Sequence, residues 1–233
     1  MLDLLSRRFY WNRMDRDVQR KVRACLVCQK RKQPRPSRAG LTQPMLSQRP
    51  MQTVAIDLVG PLIESVEGDK WILTMMDTFT RWPIAVPVPN KSAIIIARAI
   101  YRHLLCQHEC PERILTDREK SFLSQGIALM CKNLGIHKIA TSGYQPQANA
   151  HVERFHRYMN AALTMYLNKY KTDWSNYLDA TLMTYRVAIN RSTGFSPFYL
   201  LYGRHPTLPL DAALNLNDDH YASEQEYGVE SAA

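Results

Sequence analysis

A chain of 233 residues is long enough for one ordinary domain with a small appended module, and 45% hydrophobic residues with only 9 Gly exclude a disordered or fibrous protein. No apolar run approaches the roughly 18 to 20 residues a bilayer-spanning helix needs, and no basic-then-apolar leader opens the chain, so a soluble intracellular protein without membrane partners is expected. The formal charge of +9 is unevenly spread: residues 1–40 carry 12 Lys and Arg against Asp3, Asp15 and Asp17, whereas residues 211–233 carry only acids.

In chain order, residues 1–32 read as a basic helical segment. Leu2, Leu5, Phe9 and Tyr10 fall on one side, followed by Val18, Val22 and Cys25 at helical spacing. Clustered cations attract a phosphate backbone without reading its sequence, which makes this arm, with Lys30, Arg31 and Lys32 at its end, a candidate for duplex DNA. Residues 33–48 contain Pro34, Pro36 and Pro44 and read as a linker, because Pro removes a backbone donor and disfavours helix before it. Cys25 and Cys28 have the C-x₂-C spacing of half a tetrahedral zinc site. With no His before His103, they are expected to bind zinc weakly as the chain stands, and Zn²⁺ enters only if histidines precede them in a longer chain. Cys106, Cys110 and Cys131 have no matched partners and read as structural.

Three strand-length runs follow, Val54 to Val59, Trp71 to Met76 and Trp82 to Val88, rich in β-branched and aromatic residues and separated by turn residues. A helix is expected over residues 91–106 with Asn90 as its cap, a strand over 113–116, a helix over 127–134 stopped by Gly135, and a strand over 137–140. The longest helix is expected over residues 149–170 with Asn149 as cap, and another runs from Trp174 to about Ile189. Strands, then helices, with a strand returning after the first helix, argue for an α/β layered fold with a mixed sheet. Residues 49–210 form that domain, and residues 211–233 read as an acidic mobile tail.

Three acids stand out against this pattern. Asp57 interrupts an apolar run without polar alternation, the signature of a central strand, where a charge needs a partner. Asp117 closes the short strand before Arg118, at the strand end where α/β folds place functional groups. Glu153 lies near the start of the long helix, where a lone acid is ordinarily explained by the helix dipole. The intervals are 59 and 35 residues.

The spacing is matched by the words around it: Val54-Ala55-Ile56-Asp57-Leu58-Val59-Gly60-Pro61, Leu115-Thr116-Asp117-Arg118, Tyr144-Gln145-Pro146-Gln147-Ala148-Asn149 ahead of Glu153-Arg154, and Thr193-Gly194-Phe195-Ser196-Pro197-Phe198 leading to Tyr202-Gly203-Arg204. On these residues the chain resembles the integrases of retroviruses and, more closely, of gypsy-type long-terminal-repeat retrotransposons, from residue 5 to about 210. The resemblance implies a ribonuclease-H-like fold, a mixed five-stranded sheet flanked by helices, preceded by part of a helical zinc-binding segment truncated before its two histidines. It implies a metal-dependent polynucleotidyl transferase that processes DNA 3′ ends and transfers strands, with Asp57, Asp117 and Glu153 as catalytic ligands of two Mg²⁺ or Mn²⁺ ions. The partners are then element ends and target DNA, with a homo-oligomer in the nucleus. Tyr144, Gln147 and Asn149, with Arg154 and Arg157, are the expected DNA contacts beside the third acid. His151 and His156 read as surface groups, or groups behind the ligands, rather than ligands. The chain departs from the family pattern at Glu119 and Ala150, where Gly is usual, and at Gln145, where His is common. A domesticated or decayed integrase that binds DNA or protein without catalysis is the alternative these departures carry.

Overall fold

The computed structural model describes residues 2–6, 8–25, 47–140, 146–167 and 171–213. The chain divides into two compact units, residues 1–43 and 44–233. Among its described residues the first holds two helices, α1 (Leu2–Ser6) and α2 (Met14–Ala24). The break has a local cause, since Arg13 takes a left-handed conformation (φ 63°) at the start of α2 and Trp11 Nε1 donates to Asp17 Oδ2 at 3.1 Å.

The second unit is built on a five-stranded sheet in the order β3-β2-β1-β4-β5, from β1 (Thr53–Val59), β2 (Trp71–Asp77), β3 (Pro83–Val88), β4 (Arg113–Thr116) and β5 (His137–Ala140). β1 pairs antiparallel with β2 and parallel with β4, and β4 pairs parallel with β5, so the sheet is mixed and β1 is its centre. At the end of β1, Gly60 has φ +144°, and a Cβ there would stand 2.7 Å from Trp71 Cε3 and 2.9 Å from the Lys70 carbonyl oxygen. Only Gly fits this turn into the β1–β2 connection.

Because strand side chains alternate, the two faces of β1 enter different cores. Val54 and Ile56 pack with Leu73, Met75, Ile114 and the apolar face of α3 (Ala93–Ile100). Ala55 packs with Ile72, Met76, Leu115 and the row Val152, Phe155, Met159 and Leu163 on α5 (Pro146–Tyr166). That row recurs at three and four residues, the stripe by which an amphipathic helix seats on a sheet.

Helix limits are where sequence reading erred. Ser92, not Asn90, caps α3, accepting from the Ile95 N–H, and Asn90 Oδ1 instead accepts from the Ser92 N–H. α3 continues as a π-turn over Tyr101–Leu105. Ser124 caps α4 (Gln125–Asn133), which starts two residues earlier than expected, and Gly135 follows it at φ +69°. Asn149 is not a cap: α5 already starts at Pro146, because Pro at a first helical position lacks only a donor that the helix leaves unused. The next helix opens as a 3₁₀ turn, Trp174–Tyr177, before α6 (Leu178–Val187).

Ser196 caps α7 (Pro197–Tyr202), with Pro197 opening it and Gly203 closing it in the left-handed conformation. Phe198 and Tyr202 pack on Trp82, which also meets the Arg186 guanidinium, 4.2 Å from the ring centroid. The chain stays helical past the expected end of the domain, in α8 (Pro209–Ala213), where buried Asp211 accepts from the Leu208 N–H. The acidic residues from 214 onward lie outside the described residues.

Candidate metal centre

The sheet register brings the first two acids together. β1 and β4 pair Ala55 with Leu115 and Ile56 with Thr116, so the next step in register sets Asp57 beside Asp117, one residue beyond the end of β4. Both follow Ala55 and Leu115 by two residues and therefore share their face, the one α5 covers. Neighbouring strands run about 4.8 Å apart, so the two carboxylates are near neighbours. On α5, Glu153 follows buried Val152 and is itself exposed, at the rim of the same face.

Hydrogen bonds aim the two aspartates. Leu58 N–H donates to Asp57 Oδ1 at 2.8 Å, and Glu119 N–H donates to Asp117 Oδ1 at 2.9 Å. Burial pushes the Asp57 carboxyl up from its ordinary 3.8 to about 6. The Leu58 N–H opposes this, and repulsion from Asp117, Glu153 and Glu119 adds to it. Glu119 is held by Lys91, whose Nζ lies 3.1 Å from Oε1 and 4.6 Å from the centroid of the Trp71 ring.

Several carboxylates repelling one another around a buried member are the hard-oxygen set that suits Mg²⁺ or Mn²⁺. The residues therefore fit a divalent cation in charge and donor type. They do not form a closed cage: among the described residues no group of three His, Cys, Asp or Glu side chains stands close enough to hold one ion.

The raised Asp57 value has a consequence for stability, with a definite sign. An acid whose folded value exceeds its unfolded one stabilises the fold fully below the unfolded value, and that contribution is lost as pH rises through the folded one. Asp57 thus costs stability progressively between pH 3.8 and about 6. At pH 7 without metal, Asp57→Asn should be the more stable by about 2 kcal/mol, which raises the melting temperature by about 4 to 8 °C, and the gain should vanish below about pH 4. Melting curves of both proteins in chelator across pH 4 to 8 check this; a variant that melts lower at pH 7 contradicts it.

Other predicted residues fall less neatly. Arg154 and Arg157 are exposed on α5, and Arg154 Nη2 lies 2.6 Å from His151 Nδ1. The side chains of Gln147 and Asn149 lie outside the described residues, as do Tyr144, Cys28, Lys30, Arg31 and Lys32 altogether. Cys25 is half-buried, and Cys131 is buried in the sheet core. Cys106 and Cys110 are exposed.

Sequence reasoning passed over Thr74 and Lys91 and read His156 as a surface group or one behind the ligands. Thr74 pairs directly with Asp57 across the β1–β2 ladder, and its hydroxyl donates to the Asp57 carbonyl at 3.1 Å and contacts His156 Nε2 at 2.7 Å. The available signal was one hydroxyl inside the apolar run Trp71 to Met76, and a His one turn after Glu153.

The integrase core domain family matches residues 47–146, which include Asp57 and Asp117 but stop short of Glu153, and the integrase zinc binding domain family matches residues 1–34. The Pol polyprotein of transposon 412 from Drosophila melanogaster is 28% identical over 98% of the chain. The gypsy retrotransposon integrase-like protein 1 of Bos taurus is 26% identical over 89% of it. The chain carries an integrase core domain and an integrase zinc binding domain.

It spans 19% of the first of these relatives and 41% of the second. Among solved integrases, the HTLV-2 catalytic core domain in complex with magnesium superposes with a TM-score of 0.53 at 16% identity, covering 67% of this chain and all of that one. A chain of a simian T-cell lymphotropic virus intasome in complex with PP2A regulatory subunit B56 gamma gives 0.58 at 18% identity, covering 83% of this chain and 69% of that one. At these identities the likeness establishes the fold, which is ribonuclease-H-like. No described helix is long and apolar enough to cross a membrane.

Proposed function

We propose that this integrase-family chain is a divalent-metal-dependent polynucleotidyl transferase that processes DNA 3′ ends and joins them to a target duplex, with Asp57, Asp117 and Glu153 as its metal ligands. The observation that carries the reading is the β1–β4 register, which sets Asp57 beside Asp117 on the face covered by the Glu153 helix. Two Mg²⁺ or Mn²⁺ ions bound there would supply activation of the attacking oxygen and charge stabilisation at the leaving oxygen.

The chain's own part is positioning. The central strand and the Leu58 N–H fix Asp57, and the Glu119 N–H fixes Asp117. Glu153 closes the site from a helix seated by Val152, Phe155 and Met159. The attacking oxygen, from water or a DNA 3′-hydroxyl, forms a new P–O bond as the bond to the bridging 3′ oxygen breaks. The attacker's proton passes to solvent, and the leaving oxygen takes one up. DNA is held by the basic residues 1–40, including Lys30, Arg31 and Lys32, and near the acids by Tyr144, Gln147, Asn149, Arg154 and Arg157. Cys25 and Cys28 would form half of a zinc centre only where histidines precede them in a longer chain. The working unit is a homo-oligomer on duplex DNA in the nucleus.

The test is strand transfer of a pre-processed duplex end into plasmid with Mn²⁺. Joined product is expected. A folded protein that neither joins nor nicks would favour a second reading, an integrase fold retained for binding DNA or protein, to which the Lys91-paired Glu119 at a usual Gly position points.

A further inference from the structure

His156 stands one turn after Glu153 on α5, and its side chain is 14% exposed. Its Nε2 lies 2.7 Å from Thr74 Oγ1. The Thr74 hydroxyl also reaches the Asp57 carbonyl, 3.1 Å away, and with its single proton given there it accepts from the ring. In that arrangement Nε2 carries the proton, and Nδ1 presents a bare lone pair. Nδ1 makes no hydrogen bond among the described residues and lies 3.9 Å from Asp57 Oδ2, too far for a shared proton.

Two atoms that each bind one divalent ion at about 2.0 to 2.2 Å stand about 3 to 4 Å apart, which is the spacing found here. Ligating histidines ordinarily anchor their second nitrogen by donating its hydrogen, which sets the ring's orientation. Thr74 provides that anchor and ties it to the backbone of Asp57.

We propose that His156 Nδ1 is a nitrogen ligand, beside Asp57 Oδ2, of the ion that Asp57 holds, which tilts this centre towards first-row transition cations such as Mn²⁺ and Co²⁺ over Mg²⁺. The inference rests on the metal-centre reading above and adds a softer donor to its hard oxygens. Imidazole suits transition ions, whereas Mg²⁺ favours oxygen and retained water.

The test uses the full chain and the metals alone. Mn²⁺-loaded protein should show ¹⁴N coupling of an imidazole in pulsed electron paramagnetic resonance. His156→Gln should lose that coupling and at least about 10-fold in Co²⁺ affinity by calorimetry, with Mg²⁺ affinity changed far less. Bound Mn²⁺ without nitrogen coupling in the parent overturns the proposal whether or not the variant folds, and so does coupling that persists in His156→Gln. Asp57→Asn separates the two readings. If it binds Mn²⁺ as well as the parent does, or if the parent binds none, the carboxylate centre fails and the inference falls with it. If Asp57→Asn loses the ion while His156→Gln keeps both affinity and coupling, only the inference fails.

Discussion

Phe155→Ala is expected to cost about 3 to 5 kcal/mol of unfolding free energy, the range for truncating a fully buried aromatic side chain. Phe155 is 0% exposed, lies between α5 and the sheet, and meets the Tyr185 ring edge-on with centroids 5.1 Å apart. Removing it leaves a cavity under the helix segment that carries Glu153 and His156. For a chain of this size the loss lowers the melting temperature by about 10 °C or more. Phe155→Leu, which keeps most of the volume, should cost clearly less. Arg157→Ala, at an exposed position on the same helix, should stay within about 0.5 kcal/mol of the parent. Urea unfolding followed by circular dichroism measures all three, and a Phe155→Ala midpoint equal to that of Arg157→Ala would mean that α5 is not seated by this residue.

The strands were legible because their signal is local. Runs such as Val54 to Val59 and Trp71 to Met76 carry β-branched and apolar residues between turn formers, and the structure places strands there to within a residue. The parallel pairing of β1 with β4, which sets Asp57 beside Asp117, joins segments some 60 residues apart and leaves no periodic trace in the sequence. It followed only from the resemblance. Caps were harder, because Asn90, Ser92 and Ser124 are all competent side chains and tertiary packing decides which one serves. The partner of His156 was illegible for a related reason: helical spacing puts it near Glu153, but the side chain it meets is Thr74, a residue of another strand. The break between α1 and α2 depends on one residue's left-handed backbone, which no hydrophobic pattern announces.

The three acids should act as one unit, so each of Asp57→Asn, Asp117→Asn and Glu153→Gln should abolish DNA joining while leaving the fold intact. An ion that stabilises transition-state charge contributes several kcal/mol, so losing its ligand set should slow joining by about 10³-fold or more. Loss of folding is not the cause to expect, since Asp57 is already destabilised by burial and by its acidic neighbours. The variants should also lose the rise in melting temperature that Mn²⁺ gives the parent, because an ion that binds only the folded protein stabilises it by mass action. Glu153 is the most exposed assignment of the three: it lies beyond the matched core-domain residues and at the rim of the site. The decisive measurement is strand transfer of a pre-processed duplex end with Mn²⁺, with parent and the three variants side by side at matched folded concentration. Joining by the parent and by none of the variants is the predicted result; joining by Glu153→Gln at the parent's rate would contradict the shared metal centre.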